Sequence, residues 1–149
     1  MKILIIYGPN LNRLGRRDPA QYGTTTLAEI EGALAKRASE LKVGLASFQS
    51  NSEGALIDFI QAEAEGAAGI IINPGALTHY GLSLRDALDD TGLPILEVHL
   101  SNIHARERFR RRSVVAPIAR GQIAGLGWRG FLIALDSLVE SLAEDESLC

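Results

Sequence analysis

Cysteine is almost missing from this sequence: among 149 residues there is one, Cys149, at the last position. A lone thiol makes neither a disulfide framework nor a thiolate metal cluster. No early segment joins a basic start to a long apolar stretch and a small-residue cleavage site, so we expect no signal peptide and a cytoplasmic protein. No apolar run approaches the roughly 20 residues of a membrane span, which argues against a membrane partner. Lysine is scarce as well. Of fifteen basic residues only Lys2, Lys36 and Lys42 are lysine, leaving twelve arginines, and these cluster at 13–17 and 106–112. A genomic bias would explain the preference for arginine but not the clustering.

Several chemical signatures are also missing. No Gly-x-Ser-x-Gly elbow offers a serine nucleophile. Neither a Gly-x-Gly-x-x-Gly fingerprint nor a Walker loop follows a strand, so a nucleotide site is weakly supported. His79, His99 and His104 have neither helical ligand spacing nor companion cysteines, and no metal is expected. What remains is an ordinary globular composition, 46% hydrophobic with a net charge of −3. The length suits one domain, 1–149, able to bury about two-thirds of the surface its unfolded chain exposes.

Apolar runs alternate with segments of helical period. Strands are predicted at Lys2–Tyr7, Val43–Gln49, Gly69–Asn73, Pro94–His99 and Ser113–Ile118. Leu27, Ile30, Leu34, Ala38 and Leu41 recur at helical spacing, and Thr26 with Glu29 forms a capping box at their start. Ser50 with Glu53 suggests a second box ahead of Leu56, Ile57, Phe59 and Ile60. Leu82 to Asp90 is a third helix, stopped by Gly92 and Pro94. Phe131, Leu135, Leu138, Val139 and Leu142 line a long final one. Short strands, apolar on both faces and alternating with helices, imply an α/β three-layer sandwich around a parallel sheet. Five strands at this length suit the flavodoxin-like order 2-1-3-4-5. Ligands bind such sheets beyond the carboxyl ends of the strands, where the order reverses between strands one and three.

The residues at those ends are polar. Gly8-Pro9-Asn10 follows strand one; Asn73-Pro74-Gly75, Thr78 and His79 follow strand three; Glu97-Val98-His99, Ser101 and Asn102 close strand four. Singly, each reads as a turn former or a structural histidine. Together at the expected crevice they favour a site. Glu97 and His99, two apart on a strand, share a face, and a carboxylate so placed holds an imidazole's tautomer and favours its protonated form. The lysines lie at the chain start and along the first helix, away from this rim, so Schiff-base chemistry lacks its nucleophile.

The stretch YGPNLNRLGRRDPAQYG, residues 7–23, puts arginines and a tyrosine on one loop. Ionising a tyrosine phenol near pH 7 requires about 4 kcal/mol of help, much of which a close, partly desolvated guanidinium could supply. Arg17 and Tyr22 could meet in that way, or the loop could be solvated with snorkelling arginines; spacing alone leaves the two level. HARERFRRR, residues 104–112, invites nucleic acid. The acidic balance, the few lysines and the lack of an aromatic platform beyond Phe109 argue instead for a small anionic substrate or a subunit contact.

Taken together, GPNLNRLGRRDPAQYG, NPGALTH, LRDAL and EVHLSNIHARERFRR, with the late GLGWRGFLIAL, strongly resemble type II 3-dehydroquinate dehydratase over nearly the whole chain. The resemblance implies a flavodoxin-like fold, a dodecamer built from trimers, and dehydration of 3-dehydroquinate to 3-dehydroshikimate through an enolate, without metal, Schiff base or other cofactor. It implies that Tyr22 takes the proton beside the ketone, that Arg17 holds Tyr22 ionised, and that Asn10 positions a water near the enolate oxygen. His99 would protonate the departing hydroxyl, oriented by Glu97. Asn73, His79, Arg110, Leu100 and Ser101 would hold the substrate, and Asp86 would approach from a neighbouring subunit. Biosynthesis and quinate breakdown both remain open as its role.

One departure stands out. The family usually has Thr-Ser after Thr78-His79, and this chain has Tyr80-Gly81, a poorer helix cap and added bulk beside His79. Two other readings compete with the enzyme. A flavodoxin-like binding or regulatory module would be favoured by loss of Tyr22, Arg17 or His99, and all three are present. A flavin carrier needs a phosphate-cradling Ser/Thr-Gly loop after strand one, for which Gly-Pro-Asn-Leu-Asn is a poor substitute.

Overall fold

The structure is a computed structural model and describes residues 1–149. Five strands, β1 (Lys2–Tyr7), β2 (Gly44–Gln49), β3 (Gly69–Asn73), β4 (Ile95–His99) and β5 (Gly121–Ala124), pair in parallel in the order β2-β1-β3-β4-β5. Between and after them run α1 (Pro19–Tyr22), α2 (Leu27–Leu41), α3 (Glu53–Glu63), α4 (Leu82–Asp90) and α5 (Arg129–Ser147). This is the expected α/β flavodoxin-like arrangement. No helix is long and apolar enough to cross a membrane.

Successive strand residues face opposite sides of a sheet, and the two cores divide accordingly. Ile3, Ile5 and Tyr7 of β1, with Ile71, Leu96 and Val98, lie under Ile30 and Leu34 of α2 and Phe131, Leu135 and Leu138 of α5. Leu4 and Ile6, with Ile70, Ile72 and Ile95, lie under Leu56 and Ile60 of α3 and Leu84 and Leu88 of α4. Every residue of β3 and β4 is buried, which leaves their carboxyl ends as the place where polar groups emerge. On β4 the alternation that buries Ile95 carries Glu97 and His99 to the α3–α4 side.

The expected fifth strand is corrected. Ser113–Ile118 is apolar and branched, but Pro117 has no N–H to give a ladder. The Ser113 hydroxyl accepts the Val115 and Ala116 N–H groups at 3.1 and 2.9 Å, and the chain then makes one 3-10 turn, Ala116–Ile118. The real β5 begins at Gly121, a four-residue edge strand whose residues are all half-buried. β2 and β4 each begin one residue later than expected, a difference within the ordinary fraying of element ends.

The capping prediction holds at α2, where Thr26 accepts the Glu29 N–H. At α3 it is corrected: the cap is Ser52, which accepts the Ala55 N–H at 3.3 Å, while Ser50 accepts the Ser52 N–H at 3.0 Å. Glu53 is thereby free for a different task at α4, described below.

The ends of β1 and β3 are locked together. The Gly8 N–H donates to the Asn73 carbonyl at 2.7 Å. A Cβ at Gly8 would lie 2.4 Å from the Pro74 carbonyl oxygen, so only glycine lets the two turns approach this closely.

Candidate active site

Beyond β1 the chain enters the left-handed region at Asn10, φ 71°, a conformation asparagine tolerates. Its backbone N–H donates to Asn51 Oδ1 at 3.0 Å, and Gln49 Nε2 donates to the same oxygen at 3.1 Å. The end of β2 thus braces this turn and leaves the Asn10 side chain to line a cavity. At the end of β3, Asn73 Oδ1 accepts the Gly75 N–H at 3.0 Å, which fixes the carboxamide and aims its NH2 group elsewhere. His79 Nδ1 lies 2.7 Å from the Arg112 carbonyl. A carbonyl only accepts, so Nδ1 carries the hydrogen.

At the end of β4, Glu97 is fully buried and His99 nearly so. His99 Nε2 donates to Glu97 Oε1 at 2.9 Å. The carboxylate also accepts from the Thr78 hydroxyl, from Ser113 Oγ at 2.9 and 3.0 Å, and from Gln122 Nε2 at 2.7 Å. Burial pushes the Glu97 carboxyl up, but the bond and charge of His99, with the Thr78 and Ser113 hydroxyls, outweigh it and hold the group below its ordinary value. A carboxyl lowered on folding contributes stability above its unfolded pKa of about 4.3, and the contribution is lost as the pH falls through the folded value.

Tyr22 lines the same cavity, at the end of a single helical turn. Pro19 begins the turn, and Asp18 caps it by accepting the Ala20 N–H at 3.0 Å. The Arg17 guanidinium carbon lies 3.7 Å from the centre of the Tyr22 ring, a stacked cation–π contact. The phenol oxygen itself accepts from Arg106 Nη1 at 2.8 Å, and the same nitrogen donates to Ser101 Oγ at 3.1 Å. Arg17 and Tyr22 do meet, as one reading of the loop required, but the direct bond to the oxygen is made by Arg106. Sequence reasoning did not single out Arg106. Its only signal was membership of the 106–112 cluster, where nothing in the spacing separates it from four other arginines.

One cavity gathers most of the expected residues. Asn10, Arg17 and Tyr22 line it from the first loop, and Asn73 and His79 from the β3 end. His99, Leu100, Ser101 and Arg110 complete the lining from β4 onward. Arg110 is steadied by Glu107 Oε2 at 2.5 Å from its Nε. Glu97 sits behind His99 rather than on the wall. Asp86 is the exception: it is exposed on α4, 3.3 Å from Arg85, and does not reach this cavity within one chain.

The Tyr80-Gly81 departure has a structural answer. Glu53 Oε2, from α3, accepts the Leu84 N–H at 3.1 Å and so caps α4 from outside. A Cβ at Gly81 would lie 2.8 Å from the Leu77 carbonyl and 3.1 Å from that same Glu53 oxygen. Glycine and the borrowed carboxylate therefore go together. Tyr80 is exposed, so its bulk does not enter the cavity.

The sequence model of the family described as "Dehydroquinase class II" matches residues 1–139. The chain belongs to that family. It is 64% identical over 139 residues to a 3-dehydroquinate dehydratase of Roseiflexus castenholzii, covering 93% of this chain and 88% of the relative. With a protein of the same name from Herpetosiphon aurantiacus it shares 56% identity over 140 residues, or 94% of this chain and 97% of the relative. Among solved structures it resembles the type II dehydroquinase of Butyrivibrio crossotus, with a TM-score of 0.90 and 44% identity over 93% of this chain and 97% of that one. As a class II dehydroquinase, the chain carries its polar cluster at the β1–β3 reversal, where a parallel sheet of this order exposes its ligand crevice.

Proposed function

We propose that the cavity removes water from 3-dehydroquinate in two proton transfers, with Tyr22 as base and His99 as acid. The activity is that of a type II 3-dehydroquinate dehydratase, a lyase of the shikimate pathway. The observation that carries the assignment of roles is the pairing itself: a phenol contacted by two guanidiniums lines the same cavity as an imidazole backed by a buried carboxylate. Tyr22 as phenolate takes the proton beside the ketone, and the electron pair moves onto the carbonyl oxygen as an enolate. Asn10 positions a water against that oxygen. The enolate then collapses, the carbon–oxygen bond at the β position breaks, and His99 gives its proton to the departing hydroxyl. The products are 3-dehydroshikimate and water; the proton gained by Tyr22 and the one lost by His99 are exchanged through solvent. Asn73, His79, Arg110, Leu100 and Ser101 hold the substrate's hydroxyls and carboxylate.

Incubation with 3-dehydroquinate, followed by the ultraviolet absorbance of the conjugated enone, tests the activity. Dehydration is expected to survive chelators and also borohydride added with substrate. Lys2 pairs with Glu63 at 3.1 Å at the amino edge of the sheet, Lys42 ends α2 on the same edge, and Lys36 lies on α2; none lines the cavity. Inactivation through a lysine trapped by borohydride would overturn the enolate route.

Assembly belongs to the same reading. Asp86 is exposed and outside its own cavity, which suits a residue that completes the site of a neighbouring copy. A dodecamer of trimers is expected, in the cytoplasm and with no nucleic-acid partner, each subunit a single domain. Light scattering on the purified protein checks the mass, and a fully active monomer would refute it.

A further inference from the structure

Glu97 receives hydrogen bonds from four separate places, and their hydrogens can be counted. Ser113 Oγ already accepts two backbone N–H groups, from Val115 and Ala116. Its two lone pairs are taken, so it acts here as a donor. Thr78 Oγ1 also lies 2.9 Å away, but the two carboxylate oxygens at 2.9 and 3.0 Å carry the charge and draw the hydrogen. Thr78 has one hydrogen, and Glu97 Oε1 is its closest acceptor. His99 supplies the Nε2 hydrogen to the same oxygen. Oε1 is therefore crowded with donors. Oε2 has only a share of the Ser113 hydroxyl and one hydrogen bond of its own, from Gln122 Nε2 at 2.7 Å. Gln122 stands directly beside Glu97 in the β4–β5 register, on an edge strand otherwise short of polar purpose.

We propose that Gln122 is a positioning residue for the acid step: it anchors Glu97 Oε2, so that Oε1 stays aimed at His99 while the imidazole gives up its proton. The inference rests on the acid role of His99 given above. Gln122 does not line the cavity, so it acts through Glu97 and not on substrate. An amide suits the position because it donates without titrating. The groups facing Glu97 are otherwise neutral. Thr78 comes from the turn after β3, Ser113 from the segment before β5, and Ile72 of β3 is its ladder neighbour; His99 is its one titratable partner. Removing a donor from a buried carboxylate favours its protonated form. A protonated Glu97 would no longer hold the His99 proton in readiness.

Two substitutions of similar length separate this role from packing. Gln122→Met removes the donor; Gln122→Lys restores one with added charge. For Gln122→Met, kcat is expected to fall about tenfold with KM nearly unchanged, and the acid limb of the kcat–pH profile is expected to rise by about one pH unit. For Gln122→Lys, that limb should return to the parent position or below it. The shape of the profile is set by the molecules that turn over, so a reduced folded fraction does not obscure it. An infrared titration of the buried carboxyl C=O band gives a second readout that does not depend on turnover. Movement of both the band and the limb supports the inference. Unmoved band and limb in Gln122→Met would overturn it alone. A band that moves while the kcat limb stays fixed would overturn the acid role of the His99–Glu97 pair, and this inference with it.

Discussion

Tyr22→Phe is expected to leave a folded protein that neither dehydrates 3-dehydroquinate nor exchanges the proton beside its ketone with deuterated solvent. The substitution keeps the ring over which Arg17 stacks at 3.7 Å and deletes only the oxygen that Arg106 contacts at 2.8 Å. Loss of a general base costs on the order of 10²–10⁴-fold in kcat. Arg106 offers an internal control. Arg106→Ala in the parent removes the donor at the phenol oxygen and should lower kcat without abolishing substrate binding. The same change made on the Tyr22→Phe background should add little, because the atom it serves is already gone. Such non-additivity is the mark of residues acting as a unit. Near-parental dehydration by Tyr22→Phe at saturating substrate would place the base elsewhere and reduce residues 7–23 to a cover.

His99→Asn is expected to separate the two proton transfers. Asparagine cannot give up a proton near neutral pH, so the second step should fail and net dehydration should drop by a similar order, about 10²–10⁴-fold. Arg17, Arg106 and Tyr22 make no hydrogen bond to His99 and keep their own contacts, so the first step should persist. Solvent deuterium should therefore enter the substrate beside the ketone while no enone accumulates; mass spectrometry of recovered substrate and ultraviolet absorbance read the two events independently. Loss of both would mean that the enolate cannot form without His99. Retention of both would remove His99 from the chemistry.

Much of this arrangement was legible in the residues, and the exceptions have physical causes. β1 and β3 were read to the residue, as was α4, because each is a dense apolar or helical-period run bounded by Gly, Pro or Asn. β5 was not. Its four residues include a glycine and the functional Gln122, whereas Ser113–Ile118 has the apolarity of a strand but spends its serine on Glu97 and its own backbone. The α3 cap was misplaced by two residues because two serines, Ser50 and Ser52, compete for it and Glu53 bonds to α4 instead. Within the site, the polar residues at strand ends could be listed from the sheet rule alone. Which arginine of the 106–112 cluster bonds to Tyr22 depends on how the chain turns after Ser101, and no periodicity encodes that turn.

The shell around Glu97 has a consequence for how the protein comes into being. Its donors come from Thr78, His99, Ser113 and Gln122, so the acid is finished only when β5 has joined the sheet. In chain order β5 follows β1, β2, β3 and β4, so the segment bearing two of the four partners is the last part of the sheet to be made. A buried carboxylate without its donors is costly, so pairing of β5 with β4 is what offsets the burial of Glu97. The acid of this site is therefore not local to β4: a chain ending ahead of Ser113 would lack two of the four donors that hold Glu97.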